Sequence, residues 1–205
     1  MIEIRSLNKR IKNNIIFENL NFDLAPGKIY GIIGKNGTGK TTLLKLLSGL
    51  EEDDQKQTMK LFPDQYSPIG VHLENPKLYP YLSGKQNISF FTSDLAEFYY
   101  EPDILINKFQ LETFVDKKVK TYSLGTKQKI SLIMAILMSR KLLLLDEPTN
   151  GLDEESVQTF KSILLRLSQE HGLTIVITTH DVHELEVLFD EIMTIKKGSL
   201  ETVNL

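Results

Sequence analysis

The chain predicts an α/β fold: a parallel sheet core, an antiparallel β layer beside it, and an α-helical subdomain. Three observations carry that prediction. Short apolar runs at Lys28–Ile33, Lys141–Asp146, Thr174–Thr179 and Glu191–Ile195 read as buried strands. An amphipathic helix over Glu154–Glu170 separates two of them, and strands that alternate with helices pair in parallel. A glycine-rich loop stands between the first run and the helical stretch that follows it.

Taken in order, Ile2–Leu7 and Asn21–Leu24 alternate as strands do, and Pro26-Gly27 marks a turn before the next strand. This pair forms the antiparallel layer, expected to lie over whatever the following loop holds. Lys28–Ile33 is the strand, Gly34–Thr41 the loop, and Thr42–Ser48 a helix closed by Gly49 at its C′ position. Glu51-Glu52-Asp53-Asp54 reads as a solvated acidic loop. From about Asn75 to Arg140 no long apolar β run occurs, and ten of the seventeen aromatics fall between Tyr79 and Tyr122, which marks a helical lobe. One domain of 205 residues is expected, with residues 1–74 and 141–205 as its core and 75–140 as the lobe.

Hydrophobic residues make up 41% of the chain, enough for an ordinary core. No apolar run is long enough to span a bilayer, and MIEIRSLNKR lacks the apolar segment of a signal peptide, so a cytosolic protein without membrane insertion is expected. Zero cysteines exclude disulfides, thiolate metal sites and Cys nucleophiles. A net charge of −3, with lysines and acids interspersed, offers no basic stripe for DNA or RNA.

Gly34-Lys35-Asn36-Gly37-Thr38-Gly39-Lys40-Thr41 fits G-x-x-x-x-G-K-S/T at every fixed position. Glycines at 34, 37 and 39 let the backbone turn its N–H groups inward onto phosphates. Lys40 can reach the β- and γ-phosphate oxygens, the Thr41 hydroxyl can ligate Mg²⁺, and Thr42 opens a helix whose dipole favours the anion. The chain is therefore expected to bind a nucleoside triphosphate.

Leu142-Leu143-Leu144-Leu145-Asp146-Glu147 is an apolar strand that delivers two carboxylates to the carboxyl edge of the sheet. Alone it is an ordinary strand end; paired with the loop it places Asp146 at Mg²⁺ and lets Glu147 orient and deprotonate an attacking water. Thr174–Thr179 ends the same way in His180, which can touch the γ-phosphate; alone, a capping or core histidine is the blander reading. His180, His183 and Glu184 also raise a zinc site, but H-x-x-H-E is not the H-E-x-x-H spacing. Ser123 is a plausible cap for a helix with Gly125 leaving its first turn open. That helix start could take a second anion, and a partner's nucleotide is the candidate.

With these motifs in this order, the sequence resembles the ATP-binding subunit of ABC transporters along its length. GKNGTGKTT resembles Walker A, LLLLDE Walker B with its catalytic glutamate, YSLGTKQK the signature motif, TNGLD the D-loop, and His180 the switch histidine. The resemblance implies a P-loop NTPase with a RecA-like core. It implies two ATP-binding subunits that sandwich two ATP molecules, each between Gly34–Thr42 of one chain and Ser123 and Gly125 of the other. It also implies an integral membrane permease as partner, which holds the subunit on the inner face of the membrane.

Departures from the family pattern carry information too. Glutamate, Glu74, stands where the Q-loop, which the resemblance places beside Mg²⁺, has glutamine, and a carboxylate is a better ligand for a hard cation than an amide. Ile69–Gly84 is similar to the E-loop of lantibiotic-immunity and bacitracin-resistance transporters, which points to export of, or immunity to, a peptide antibiotic. Ile11 occupies the position where an aromatic usually stacks on adenine, so base recognition is expected to weaken. Leu124 and Thr126 replace a glycine and a glutamine of the signature. A soluble ABC-type ATPase of DNA repair or translation is the alternative, but it lacks its usual coiled coil or basic tails here. A GTPase is disfavoured because no N-K-x-D motif follows the loop.

Overall fold

The computed structural model describes residues 1–54, 69–95 and 97–203. The first half runs β1 (Ile2–Ile11), β2 (Asn14–Leu24), β3 (Ile29–Ile33), α1 (Lys40–Leu47), β4 (Gly70–His72), α2 (Gly84–Thr92) and α3 (Pro102–Lys108). The second half runs α4 (Leu124–Met138), β5 (Leu142–Asp146), α5 (Glu154–His171), β6 (Thr174–Thr179), β7 (Glu191–Lys196) and β8 (Ser199–Thr202).

Among the described residues the main sheet has the order β4-β5-β6-β3-β7-β8, parallel except for β8. Continuous apolar runs form its centre because both faces are covered. In β5, Leu142 and Leu144 pack into the core shared with β1, β2 and α1, while Leu143 and Leu145 pack into the core shared with α4 and α5. α5 has the expected stops and starts: the Asp153 carboxylate accepts from Ser156 N at 2.9 Å, and Gly172 closes the helix with φ 65.

Because β3 pairs with β6 on one side and β7 on the other, the strand order reverses beside it, and the carboxyl end of β3 becomes the natural crevice. The register brings the needed residues to one edge. Ile33 lies opposite Thr179, and Thr178 lies opposite Asp146, so the loop after β3 adjoins Glu147 and His180.

Several local expectations need correction. The antiparallel pair is longer than the alternation suggests, because Ser6 and Asn19 take left-handed backbone (φ 51 and 49) and shift the register. Asn8 and Asn21 stitch these irregularities by accepting from Asn19 N and Ser6 N, each at 2.9 Å. α1 starts at Lys40, two residues ahead of Thr42. The acidic patch is not simply solvated: Glu51 pairs with Lys9 Nζ at 2.9 Å, and Asp53 is buried. β4 and β8 were not expected. Among the described residues from 75 to 140 the named elements are helices, with Phe109, Tyr100 and Tyr122 inside and Tyr79, Tyr81, Phe90 and Phe91 outside.

Candidate functional site

Gly39 is the residue before α1 and has φ 105, a conformation that L side chains rarely adopt. Space forbids a side chain as well: a Cβ there would meet Ile16 Cγ2 at 2.8 Å. The hairpin thus packs directly on the loop, with Ile11 and Ile15 of the same hairpin exposed at 41% and 48%. Lys35, Asn36 and Gly37 face solvent, while Thr38 ties the turn by donating to Lys35 O through its hydroxyl at 3.0 Å. No side chain caps α1, so its first amides remain for a ligand.

Lys40 is only 6% exposed, yet its ammonium is well supplied with oxygen. It donates to Gly34 O at 2.7 Å and Lys35 O at 3.4 Å, and Glu147 Oε1 lies 3.4 Å away. Glu147 is itself buried, with a left-handed backbone (φ 47) that a glutamate adopts at some cost. Its other oxygen, Oε2, meets His180 Nδ1 at 2.8 Å and accepts from His180 N at 3.3 Å. One carboxylate therefore stands between the lysine of the loop and the histidine at the end of β6.

Asp146 is 2% exposed, and both its oxygens are held. Thr41 Oγ1 donates to Oδ2 at 2.8 Å and Thr178 Oγ1 donates to Oδ1 at 2.6 Å. Thr178 was not singled out from the sequence, though its register opposite Asp146 on the neighbouring strand is the signal that finds it. Thr41, Asp146 and Glu74 line one cleft of about 710 Å³ that continues past Lys45, Leu78 and Phe91. All three offer hard oxygen donors, a set that fits magnesium. Glu74 Oε1 accepts from Asn150 Nδ2 at 3.4 Å, and its main-chain oxygen accepts from Gln128 Nε2 at 2.7 Å. Asn150 and Gln128 lie within the TNGLD and YSLGTKQK motifs, but their bonds to Glu74 were not foreseen.

Ser123 stands apart from this cluster. It caps α4, its Oγ accepting from Thr126 N at 3.1 Å, and it is exposed. The first turn is not open at Gly125: a Cβ there would lie 2.5 Å from Gly151 O, so glycine admits the segment that follows Glu147. Lys129 on the same helix pairs with Asp153 at 2.8 Å. That ammonium and the Ser156 hydrogen bonds hold the Asp153 carboxyl far below the usual carboxylate range.

The ABC transporter family profile matches residues 17–150. A lantibiotic transport ATP-binding protein, SrtF of Streptococcus pyogenes, is 35% identical over 204 residues, covering 98% of this chain and 89% of the relative. A bacitracin transport ATP-binding protein, BcrA of Enterococcus faecalis, is 33% identical over 220 residues, covering 100% of this chain and 70% of the relative. In fold, the chain superposes on a solved ATP-binding subunit of an ABC transporter with TM-score 0.86 at 23% identity, covering 99% of this chain and 90% of that one.

Proposed function

The chain belongs to the ABC transporter ATP-binding family, the ATPase subunits of these transporters, and from that premise we propose how its residues bind and hydrolyse ATP and what they drive. The carrying observation is the bonded cluster in which Glu147 meets both Lys40 and His180 at the edge of the Gly34 loop.

The loop amides of Gly34–Thr42 and the Lys40 ammonium take the triphosphate. The γ-phosphate then competes with Glu147 for Lys40 and His180, and as it takes them over the carboxylate is released to act as base. A water oxygen attacks the γ-phosphorus, its proton goes to Glu147, and the bond to the β,γ-bridging oxygen breaks with its electron pair leaving on ADP. Thr41, Asp146 and Glu74 would hold Mg²⁺, which would neutralise charge that develops on the phosphate oxygens. Ile11, with Ile15 and Ile16, supplies an aliphatic shelf for the base where stacking worth about 1 to 3 kcal/mol per base would otherwise act.

Ser123 and Gly125 serve the nucleotide of a second subunit, so two chains close over two ATP molecules. Residues 75–140 act as the lobe that carries this second contact. Their exposed aromatics pack on one another, with Tyr79 5.1 Å from Phe90 and 5.9 Å from Phe91 between ring centroids, and this supports a docking surface for an integral permease. Among the described residues no helix is long and apolar enough to cross a membrane; in this reading the permease holds the subunit at the inner face. Relatives named for lantibiotic and bacitracin transport, with Glu74 in this chain, support export of or immunity to a peptide antibiotic. The family match favours transport over a role in DNA repair or translation.

Calorimetry of the folded chain with magnesium and ATP tests the reading. Saturable one-to-one binding per chain is expected, and the absence of any heat of association would overturn it.

A further inference from the structure

We propose that Gln128 is a positioning residue that sets where the Glu74 carboxylate points, and so ties the helix beginning at Ser123 to the metal end of the ATP site. The inference rests on the assignment of Glu74 to Mg²⁺ made above.

Gln128 lies inside α4 and is 1% exposed. Its side-chain amide donates at 2.7 Å to the main-chain oxygen of Glu74, in the loop that leaves β4. One turn further along the same helix face, Ser131 Oγ lies 2.9 Å from Nδ1 of His72, which is wholly buried at the end of β4. The helix therefore grips the segment on both sides of Leu73, and two contacts fix its rotation as well as its place. Glu74 is left with its side chain outward, where Asn150 Nδ2 holds one oxygen.

This junction is an expensive way to fasten a helix to a strand. Among the described residues, Gln128 Oε1 and His72 Nε2 are buried without a hydrogen-bond partner. An unsatisfied buried polar atom keeps its desolvation cost uncompensated, and an apolar contact would join the two elements without that cost. What the polar junction adds is direction. Ser123 caps the same rigid helix five residues before Gln128, so a displacement of that helix by whatever docks on Ser123 passes to the Glu74 loop.

The test is Mn²⁺ binding to the full chain carrying a non-hydrolysable ATP analogue, read from the electron paramagnetic resonance of free Mn²⁺. Outer-shell partners of metal ligands are worth about tenfold or more in affinity. Glu74→Gln and Gln128→Met should each lose about tenfold, and the double variant should lose no more than either single one. Methionine keeps the length and volume of the glutamine but donates no hydrogen bond. A folded Gln128→Met protein with wild-type Mn²⁺ affinity overturns the positioning role; if Glu74→Gln has lost affinity, Glu74 keeps its assignment. Wild-type affinity in Glu74→Gln removes that assignment and the positioning role with it. Should Gln128→Met fail to fold, Gln128→Leu, shorter and equally unable to donate, decides: about a tenfold loss supports the proposal and an unchanged affinity overturns it.

Discussion

α1 and α4 both begin at glycine-bearing turns suited to an anion, and they are built in opposite ways. The start of α1 has no side-chain cap, a left-handed Gly39 and a lysine buried among carbonyls and a carboxylate. The start of α4 is capped by its own Ser123, and Leu124 beside it is 59% exposed. Amides left open and walled in by β5 and β6 suit a ligand held within one chain. A capped and exposed turn suits a ligand carried in from outside.

Glu147→Gln should give the largest effect, and it acts on the α1 side alone. Loss of the base is expected to cost about a hundredfold to ten-thousandfold in turnover with ATP binding retained. Normal turnover in a phosphate-release assay would remove Glu147 from its role. Next comes Lys40→Ala, which deletes a charge-assisted contact worth about 1.5 to 3 kcal/mol and should weaken ATP roughly tenfold to a hundredfold or more by calorimetry. Unchanged affinity would break the picture of α1 as the principal anion site.

A smaller effect probes how α4 is fastened. Burial drives the His72 imidazole down from 6.5 to about 3. The unfolded chain therefore takes up this proton first, so stability is whole above pH 6.5 and falls as the pH drops from 6.5 towards 3. Between pH 7 and 5 the native chain should lose about 2 kcal/mol more than His72→Gln, measured from denaturant midpoints. Equal losses would show that His72 does not titrate on unfolding. The smallest effect is that of Ser123→Ala, which removes a cap worth about 1 kcal/mol. It should leave the ATP affinity of dilute monomer within about twofold while weakening ATP-dependent dimerisation. A loss of monomer affinity as large as that of Lys40→Ala would erase the contrast between the two helix starts.

The same contrast explains what could be read from the sequence. Around α1 the chemistry is local: Gly34 to Thr41 is contiguous, and β5, an apolar run, and β6, rich in β-branched residues, lead directly into Asp146, Glu147 and His180. Their convergence follows from parallel pairing alone. Around α4 the chemistry is distant. Gln128 sits between two lysines and reads as part of a polar face, and nothing near it in the chain reveals a bond to residue 74. β4 is three residues long and contains a glycine and a buried histidine, which no alternation rule marks as a strand. β1 and β2 were clipped for a related reason, since positive φ at Ser6 and Asn19 breaks the period of two on which strand reading depends. Gly125 was legible as a glycine but not for its reason, because the Gly151 carbonyl it accommodates comes from the turn after β5.

Whether α4 receives a nucleotide from a second chain is tested most directly by sedimentation velocity of Glu147→Gln with and without magnesium and ATP. A dimer that forms only with nucleotide, and that Ser123→Ala weakens, is the predicted result. A chain that binds ATP stoichiometrically and still sediments as a monomer would contradict it.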